Sequence, residues 1–445
     1  MHDIVVVGAG GCGLMAALVA AKAGARVLLI EKTGAHGGGT AFSHRGIRAA
    51  GTRYQRDLRI VDDPERYAGD ILRRNRGQGD VAVTARLTEV SGRMVHFLAD
   101  TAGVDFSVDE FTFGQSARRS HVWSADRPIT DFMFDAVRGE AGIEVRFSVP
   151  VLSLARDGGG AVTGVATREG ILPGRKVILA SGGFAAGGDL LSRYIPEAVG
   201  IPFPGHHGST GEGIEMGVAA GAAVAHMGAF QPYPAHVGPG KRAVPPDVIM
   251  AGGIIVEAGG RRFVDETRYP GGLAAAILAL PGKHAYEVFD ERLYRMHQGG
   301  AGDRSLSALS AAGLLRVAGS IEELAADLGI DGAGLRTTVG DYNLAARSGV
   351  VDAFGRTLGN ELVAPFHGIV VTVAIYHTQG GLTIDADGQV LRADGTVIPN
   401  LYAGGGAAAG VSGDGLDGYL PGNGLLASLG LGMIAAEHAV ASLAG

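Results

Sequence analysis

The run DIVVVGAGGCGLMAALVAAKAGARVLLIEK, Asp3 to Lys32, decides how the rest of the chain is read. DIVVV is a short β-rich apolar segment that enters Gly8-Ala9-Gly10-Gly11-Cys12-Gly13. The helix-like LMAALVAAKAG follows, then a second apolar run, RVLLIEK, which reaches Glu31 and Lys32. Strand, Gly-x-Gly-x-x-Gly, helix, strand and acid in that order make a dinucleotide-binding βαβ unit. Gly8 permits the tight turn, Gly10 and its neighbour Gly11 let backbone approach a pyrophosphate, and Gly13 lets the helix close on the strand. The helix N-terminus offers free N–H groups to the phosphates, and Glu31 can accept the ribose hydroxyls. Cys12 reads as a small residue at that helix start.

Composition narrows the chemistry. The chain has 445 residues, enough for two or three domains at about 100–200 residues each. Its single cysteine, Cys12, excludes an internal disulfide framework and any multi-cysteine zinc, iron–sulfur or haem attachment within this chain. Redox work here therefore needs an organic cofactor. Net charge is −7, and no Lys/Arg block occurs, so nucleic acid is not expected as a partner. The 75 glycines interrupt apolar runs instead of forming linkers, which suits backbone packed closely against something large, or many tight turns. LLASLGLGMIAAEHAVASLAG is the longest apolar stretch, but Glu437 and His438 inside it argue against a membrane span. The start lacks a basic segment followed by an apolar one, so the expectation is a cytoplasmic protein. The paired His206 and His207 have no acid or histidine at ligand spacing, and no metal site is expected.

Six further stretches carry a resemblance. After Glu31 and Lys32 comes TGAHGGGTAFSHRGIRAAGT (33–52), a second glycine loop holding Gly38, Gly39, Thr40 and Gly46. VILASGGFAAG (177–187) holds Ser181, Gly182 and Gly183 at a strand end, and GSTGEGIEMGVAAGA (208–222) opens a helix. GRRFVDE (260–266), HTQGGLTID (377–385) and NLYAGGGAAAGVSG (400–413) complete the order, the last with Gly405 and Gly406. In this order the chain resembles the fumarate reductase/succinate dehydrogenase flavoprotein family over essentially its whole length. The resemblance implies an α/β fold with a Rossmann-type FAD-binding domain in two segments, 1–230 and 377–445. An inserted α+β capping domain would take up 231–376. It also implies flavin contacts from the start of the last helix at Asn423, Gly424 and Leu425. Family members usually carry Glu where Gly406 stands. Those that bond FAD covalently use a His that aligns with Gly39, so FAD is expected to be noncovalent, with His44 the other candidate for attachment.

The substrate positions depart from the fumarate pattern. Tyr233 in FQPYPAH stands where such members have His, and Pro270 stands at the register of their proton-shuttling Arg. His377 keeps the second His, while Tyr419 in GLDGYLPGNG replaces the Arg that clamps a carboxylate. An arginine fork suits a carboxylate, and a neutral hydroxyl suits a carbonyl oxygen. The pocket is thus similar to the 3-ketosteroid dehydrogenase branch, which has a Tyr before its last glycine loop and another after its RF-x-Asn-Glu motif. That branch places the second Tyr four residues past the Glu, and Tyr269 lies three past Glu266.

These residues fit an FAD-dependent dehydrogenase that forms a C=C bond α,β to a ketone of a cyclic, largely apolar substrate. Tyr269 would remove the α proton, its pKa lowered by Arg268 or a second tyrosine, while the β hydrogen leaves as hydride to flavin N5. Tyr419 and a backbone N–H around Asn423 would hold the developing oxyanion, with Tyr233 or His377 positioning. The alternative is a reductase of an activated alkene, such as an unsaturated acid, with Arg268 as proton donor. A protein whose FAD is structural or regulatory is the third reading. Electrons would leave to an external quinone, O2 or a redox protein. RRSHVW, Arg118 to Trp123, reads as a surface loop that could also line the pocket and hold an acidic group.

Overall fold

The computed structural model describes residues 2–43, 46–110, 112, 114–123, 127–240, 242–299, 305–357 and 359–443. His44 lies outside the described residues. The chain separates into two compact units. One comprises Met1–Val199, Gly205–Phe230 and His377–Gly445; the other comprises Gly200–Pro204 and Gln231–Tyr376.

The first unit is built on parallel strands. Among the described residues, Val397–Ala403, Gly170–Leu179, His2–Val7, Val27–Ile30 and Ile143–Arg146 lie side by side and parallel. Val27–Ile30 is buried at every position, as an inner parallel strand covered on both faces must be. An antiparallel extension, Ser153–Arg156 and Val162–Thr167, joins through Gly170–Leu179, and Gln389–Leu391 pairs antiparallel with Val397–Ala403. Helices Gly11–Lys22 and Asn423–Ala441 pack on each other. A methyl at Gly432 would lie 2.4 Å from the Cys12 carbonyl oxygen, so the two backbones meet there. Burial pushes the Cys12 thiol up to about 12, which leaves it a small protonated packing residue. Asn423–Ala441 is long and apolar enough to cross a membrane by length and composition, but two-thirds of it is buried within this unit. That is the burial of a core helix.

The stretch expected as a surface loop is instead a buried strand. Ser120–Trp123 is the middle strand of a small sheet with Ile47–Arg48 and Phe106–Val108. Arg119, fully buried, donates to Asp62 at 2.7 and 2.6 Å and to Asp70 at 2.6 Å, with its guanidinium carbon 4.6 Å from the Tyr67 ring centre. His121 is held neutral by burial, its pKa pushed down to about 4, and bonds the Arg119 carbonyl and Thr52. Partners 57 and 49 residues away make this polar hexapeptide part of the interior.

The second unit centres on a sheet ordered Phe230–His236, Phe366–Thr378, His284–Asp290 and Ile254–Val256, with Arg316–Ala318 also paired to Phe366–Thr378. The GRRFVDE stretch folds into a buried ion network in this unit. Arg262 meets both Glu266 oxygens at 2.8 Å and Asp352 at 2.7 Å, and Arg356 donates to Glu266 at 2.7 Å and to the Gly253 and Ile249 carbonyls. A buried carboxylate is tolerable when its lone pairs are filled in this way.

Glu287, in the strand His284–Asp290, is different. It is fully buried, and neither oxygen has a hydrogen-bond partner among the described residues. Burial, and then the Glu266 charge, push its pKa well above the ordinary value. The folded carboxyl keeps its proton to higher pH than the unfolded one. Its contribution to stability is therefore complete below about 4.5 and is lost as pH rises toward the folded pKa. Glu287→Leu should raise stability by about 1–3 kcal/mol near neutral pH, since it removes an unsatisfied buried polar group. Glu287→Gln should flatten the decline above pH 4.5; urea melts of the three proteins across pH 4–8 give the comparison.

Candidate functional site

The nucleotide end is shaped by backbone that tolerates no side chain. A Cβ at Gly13 would lie 1.8 Å from the Gly8 carbonyl oxygen, and one at Gly8, whose φ is +108°, 2.5 Å from the Ala180 oxygen. Both positions need glycine if helix and strands are to sit this close. The helix Gly11–Lys22 has no side-chain cap and no acid in its first turn. Its leading N–H groups and dipole are left for an anion. The second glycine loop comes up against this turn. Gly37 donates to the Ala9 carbonyl at 2.9 Å, and a Cβ on Gly38 would sit 3.1 Å from the Gly10 Cα. Thr40 fills the space over Gly11 and meets Ser428 at 3.2 Å, while Gly39 opens on free space. Gly46 lies against Ser120 and Arg48.

Glu31 and Lys32 are tied into the scaffold. One Glu31 oxygen accepts the Ala9 N–H at 2.9 Å, and the other accepts the Thr33 N–H and hydroxyl at 2.8 Å. Each oxygen retains acceptor capacity for a ribose hydroxyl. Lys32 donates to Thr210 at 2.7 Å and Glu212 at 2.6 Å, so the GSTGEG stretch acts as its anchor. On the other side of the strand ends, Gly405 has φ +60°, and a Cβ at Gly406 would stand 2.5 Å from the Gly183 nitrogen. Position 406, where the resemblance would place a glutamate, is thus crowded by the Gly183 backbone. A Cβ at Gly183 would in turn meet Thr378 at 2.1 Å, and Gly182 takes φ +79°. Ser181 Oγ and Thr130 Oγ1 are buried without a hydrogen-bond partner among the described residues, Thr130 beside Gly37. Orphaned hydroxyls, an uncapped helix start and side-chain-free turns fit a bound dinucleotide. Among the described residues no group of His, Cys, Asp or Glu could hold a metal ion.

In the same unit, His377 and Tyr419 meet at the start of the last helix. Their ring centres are 5.7 Å apart, edge to face. The His377 ring rests on Gly424, where a Cβ would come within 2.6 Å of its Nε2. Leu425 follows in the first turn and is buried. Burial drives His377 down to about 4, so it is neutral at physiological pH. The Gln379 amide nitrogen lies 2.8 Å from His377 Nδ1, and the Thr378 carbonyl oxygen lies 3.2 Å from it. Nδ1 donates where it serves the Thr378 carbonyl and accepts where it serves the Gln379 amide nitrogen, so the tautomer of His377 follows which of the two contacts is made. Gln379 Oε1 accepts from Ser412 at 2.8 Å, and Ser412 accepts from the Asn423 amide at 3.2 Å.

Tyr419 is 6% exposed. Burial raises its pKa, and the N–H groups of Gly422 and Gly424 and the Arg48 charge work against that rise. The phenol stays protonated while its oxygen is favoured as an acceptor by the helix start. The backbone N–H expected as an oxyanion donor is not available at Asn423, because it bonds the Leu420 carbonyl at 3.0 Å. The helix N–H groups act on the tyrosine hydroxyl instead.

Tyr233, Arg268 and Tyr269 belong to the second unit. Tyr233 stacks on Tyr376 at 5.2 Å and donates its hydroxyl hydrogen to the Val244 carbonyl at 3.0 Å, so its hydrogen is already used. Tyr269 is 8% exposed and stands edge-on to Tyr233 at 6.1 Å. Arg268 is exposed and folds over Gly272. The contact with Tyr233 is one influence on Tyr269. Arg48, Tyr67, Gln379 and Ser412 were missed by sequence reasoning. Gln379 sits inside HTQGG, where its place beside His377 is a signal, and Arg48 is the one charge in GIRAAG.

Residues 3–425 match the FAD binding domain family. The chain is 32% identical over 425 residues to an NADH:fumarate oxidoreductase of Klebsiella pneumoniae, covering 93% of this chain and 45% of that protein. It is 31% identical over 451 residues to a fumarate reductase (cytochrome) of Shewanella frigidimarina, covering 98% and 76%. The chain therefore spans less than half the length of the Klebsiella relative. Among solved structures, the open conformation of a flavocytochrome c3 fumarate reductase superposes with a TM-score of 0.84 at 27% identity, over 99% of this chain and 78% of that one. The 3-ketosteroid-Δ4-(5α)-dehydrogenase of Rhodococcus jostii RHA1 gives 0.81 at 25%, over 99% and 96%.

Two glycines separate the scaffold from open space. Gly13→Ala puts a methyl 1.8 Å from a carbonyl oxygen and should yield protein that has lost most of its flavin. Gly340→Ala, inside the helix Gly332–Ser348 with nothing within 4 Å, should keep the flavin absorbance per protein of the parent. Visible spectra of the purified variants decide both.

Proposed function

The chain belongs to the FAD binding domain family, and on that premise we propose that it is a dehydrogenase forming a C=C bond α,β to a ketone of a cyclic, largely apolar substrate. Tyr419 carries this reading. It is a buried, protonated phenol at a helix start, in the place where fumarate-acting relatives use an arginine.

Bound FAD supplies the two-electron acceptor. The chain's own residues handle the carbonyl and the proton. Tyr419 donates to the carbonyl oxygen while its own oxygen accepts from the helix N–H groups of Gly422 and Gly424. A hydroxyl that accepts in this way is a stronger donor, and it is aimed where negative charge develops as the α proton leaves. His377, neutral, packs against the Tyr419 ring and fixes its orientation. Tyr269, acting as its phenolate, is the base in this scheme: it takes the α proton and later releases it to solvent, its environment shaped by Tyr233. The electron acceptor that reoxidises the flavin is an external quinone, O2 or redox protein.

The reductase reading has its own support in the two fumarate-reducing relatives. Anaerobic mixing of the oxidised flavoprotein with 3-ketosteroids, cyclohexanones and succinate-like acids separates the two. Bleaching by a ketone is the expected result. Reoxidation of dithionite-reduced protein by an unsaturated acid, with no bleaching by any ketone, would replace it with the reductase. Tyr419→Phe should cost roughly 10²–10³ in the rate of bleaching. A loss under about threefold would remove Tyr419 from the oxyanion role.

A further inference from the structure

The second unit carries a cavity of about 820 Å³ on the helix Gly332–Ser348 and the loop that follows it. The inner side of this helix is spent on the core through Leu335, Val339 and Tyr342, whose hydroxyl donates to the Gly252 carbonyl at 2.8 Å. Its outer side brings Asp341 and Leu344, three residues apart and both exposed, to the cavity wall. Gly349, with φ +63°, ends the helix and turns the chain into Val350 and Val351, which line the same cavity. Leu344, Val350 and Val351 are each more than half exposed. The loop that carries the two valines is well held. Val351 bridges to Thr357, Asp352 accepts the Phe354 and Arg356 N–H groups at 2.9 and 2.8 Å, and Arg356 is buried against Glu266.

Most of the charge lining the cavity is used within the unit. Arg262 and Asp352 pair at 2.7 Å, and Asp331 caps the helix by accepting the Ala333 and Gly334 N–H groups. Arg261 and Asp341 remain, both exposed, and among the described residues neither side chain makes a hydrogen bond or ion pair. Their backbones are neighbours: Thr338, three residues before Asp341, donates to the carbonyl of Gly260, next to Arg261, at 2.7 Å. One face therefore offers three firmly held aliphatic groups beside a hollow, with one unspent cation and one unspent anion. An apolar small molecule would leave both charges idle, and a ligand of one sign would be repelled by one of them. A second copy of the same face, turned by a two-fold axis, brings each charge to its opposite.

We propose that this face is a two-fold interface between two copies of the chain. Leu344, Val350 and Val351 of one copy sit in the hollow of the other, and Arg261 of each copy pairs with the partner's Asp341. An isologous contact needs a patch complementary to itself, and aliphatic groups, hollow and opposite charges on one face meet that need. The contact is made by the second unit's own residues and does not depend on which substrate the flavin site takes.

The test is sedimentation of the FAD-loaded protein over a dilution series. The parent should be a dimer that dissociates on dilution. Leu344→Glu should weaken the dimer by about 100-fold or more, and Arg261→Glu and Asp341→Arg by about 5- to 50-fold each, by setting like charges face to face. All three variants should keep the parent's flavin absorbance per protein, since the residues are exposed. A mixture of Arg261→Glu with Asp341→Arg should dimerise to within about threefold of the parent, because opposite charges meet in the mixed dimer and in neither variant alone. A misfolded variant would not give that recovery. A monomeric parent overturns the proposal; if that monomer binds anilinonaphthalene sulfonate in a manner lost in Leu344→Glu, the cavity is a small-molecule site instead. A dimer that Leu344→Glu leaves within about twofold of the parent, or a mixture as weak as its components, overturns it as well.

Discussion

The carbonyl oxygen of Gly8 occupies the space that any side chain at position 13 would need, and much of the first unit follows from that approach. It lets the first helix lie directly on the first strand, with its N–H groups unshielded at the strand ends. The same economy recurs where Gly432 meets the Cys12 carbonyl and where Gly406 meets Gly183. A chain with 75 glycines gives up conformational entropy throughout. What it gains is backbone brought to where a large planar ligand and its phosphates can be held by main chain.

Charge is distributed with equal economy. The strongly buried cations Arg119, Arg262 and Arg356 are each matched to carboxylates inside their own unit. Such networks make the positions of neighbouring segments definite, whatever their net worth to stability. The segment leading to Tyr269 leaves from Glu266, which Arg262 and Arg356 hold from two directions. Around the last helix start the polar groups are mostly neutral: a phenol, an imidazole, two amides and a hydroxyl. Charge reaches them from Arg48, whose stem lies against Gly422, and from Arg74, which donates to the Tyr419 carbonyl.

The nucleotide-binding half was legible because its constraints are local. Glycine spacing, strand periodicity and the acid at position 31 all lie within one short run, and each has a steric reason visible in the residues themselves. The family resemblance and the FAD followed from motif order. Arg118–Trp123 was misread because its fate depends on Asp62 and Asp70, which no local pattern joins to it. Arg48 and Tyr67 were missed for the same reason, being single residues from separate elements. The Asn423 N–H was misassigned because a sequence shows a helix start but not which of its donors the preceding turn has already used.

The hydrogen-bond chain from Asn423 through Ser412 and Gln379 to His377 has a direction. Each member donates toward the imidazole, and no single member can reverse alone without setting two donors or two acceptors face to face. The arrangement therefore has two discrete states in place of a continuum. In one, Nδ1 accepts from the Gln379 amide; in the other it donates, with the Thr378 carbonyl within reach. The ring hydrogen of His377 is thus set by two amides and a hydroxyl acting together, and a change at any one of them resets the tautomer.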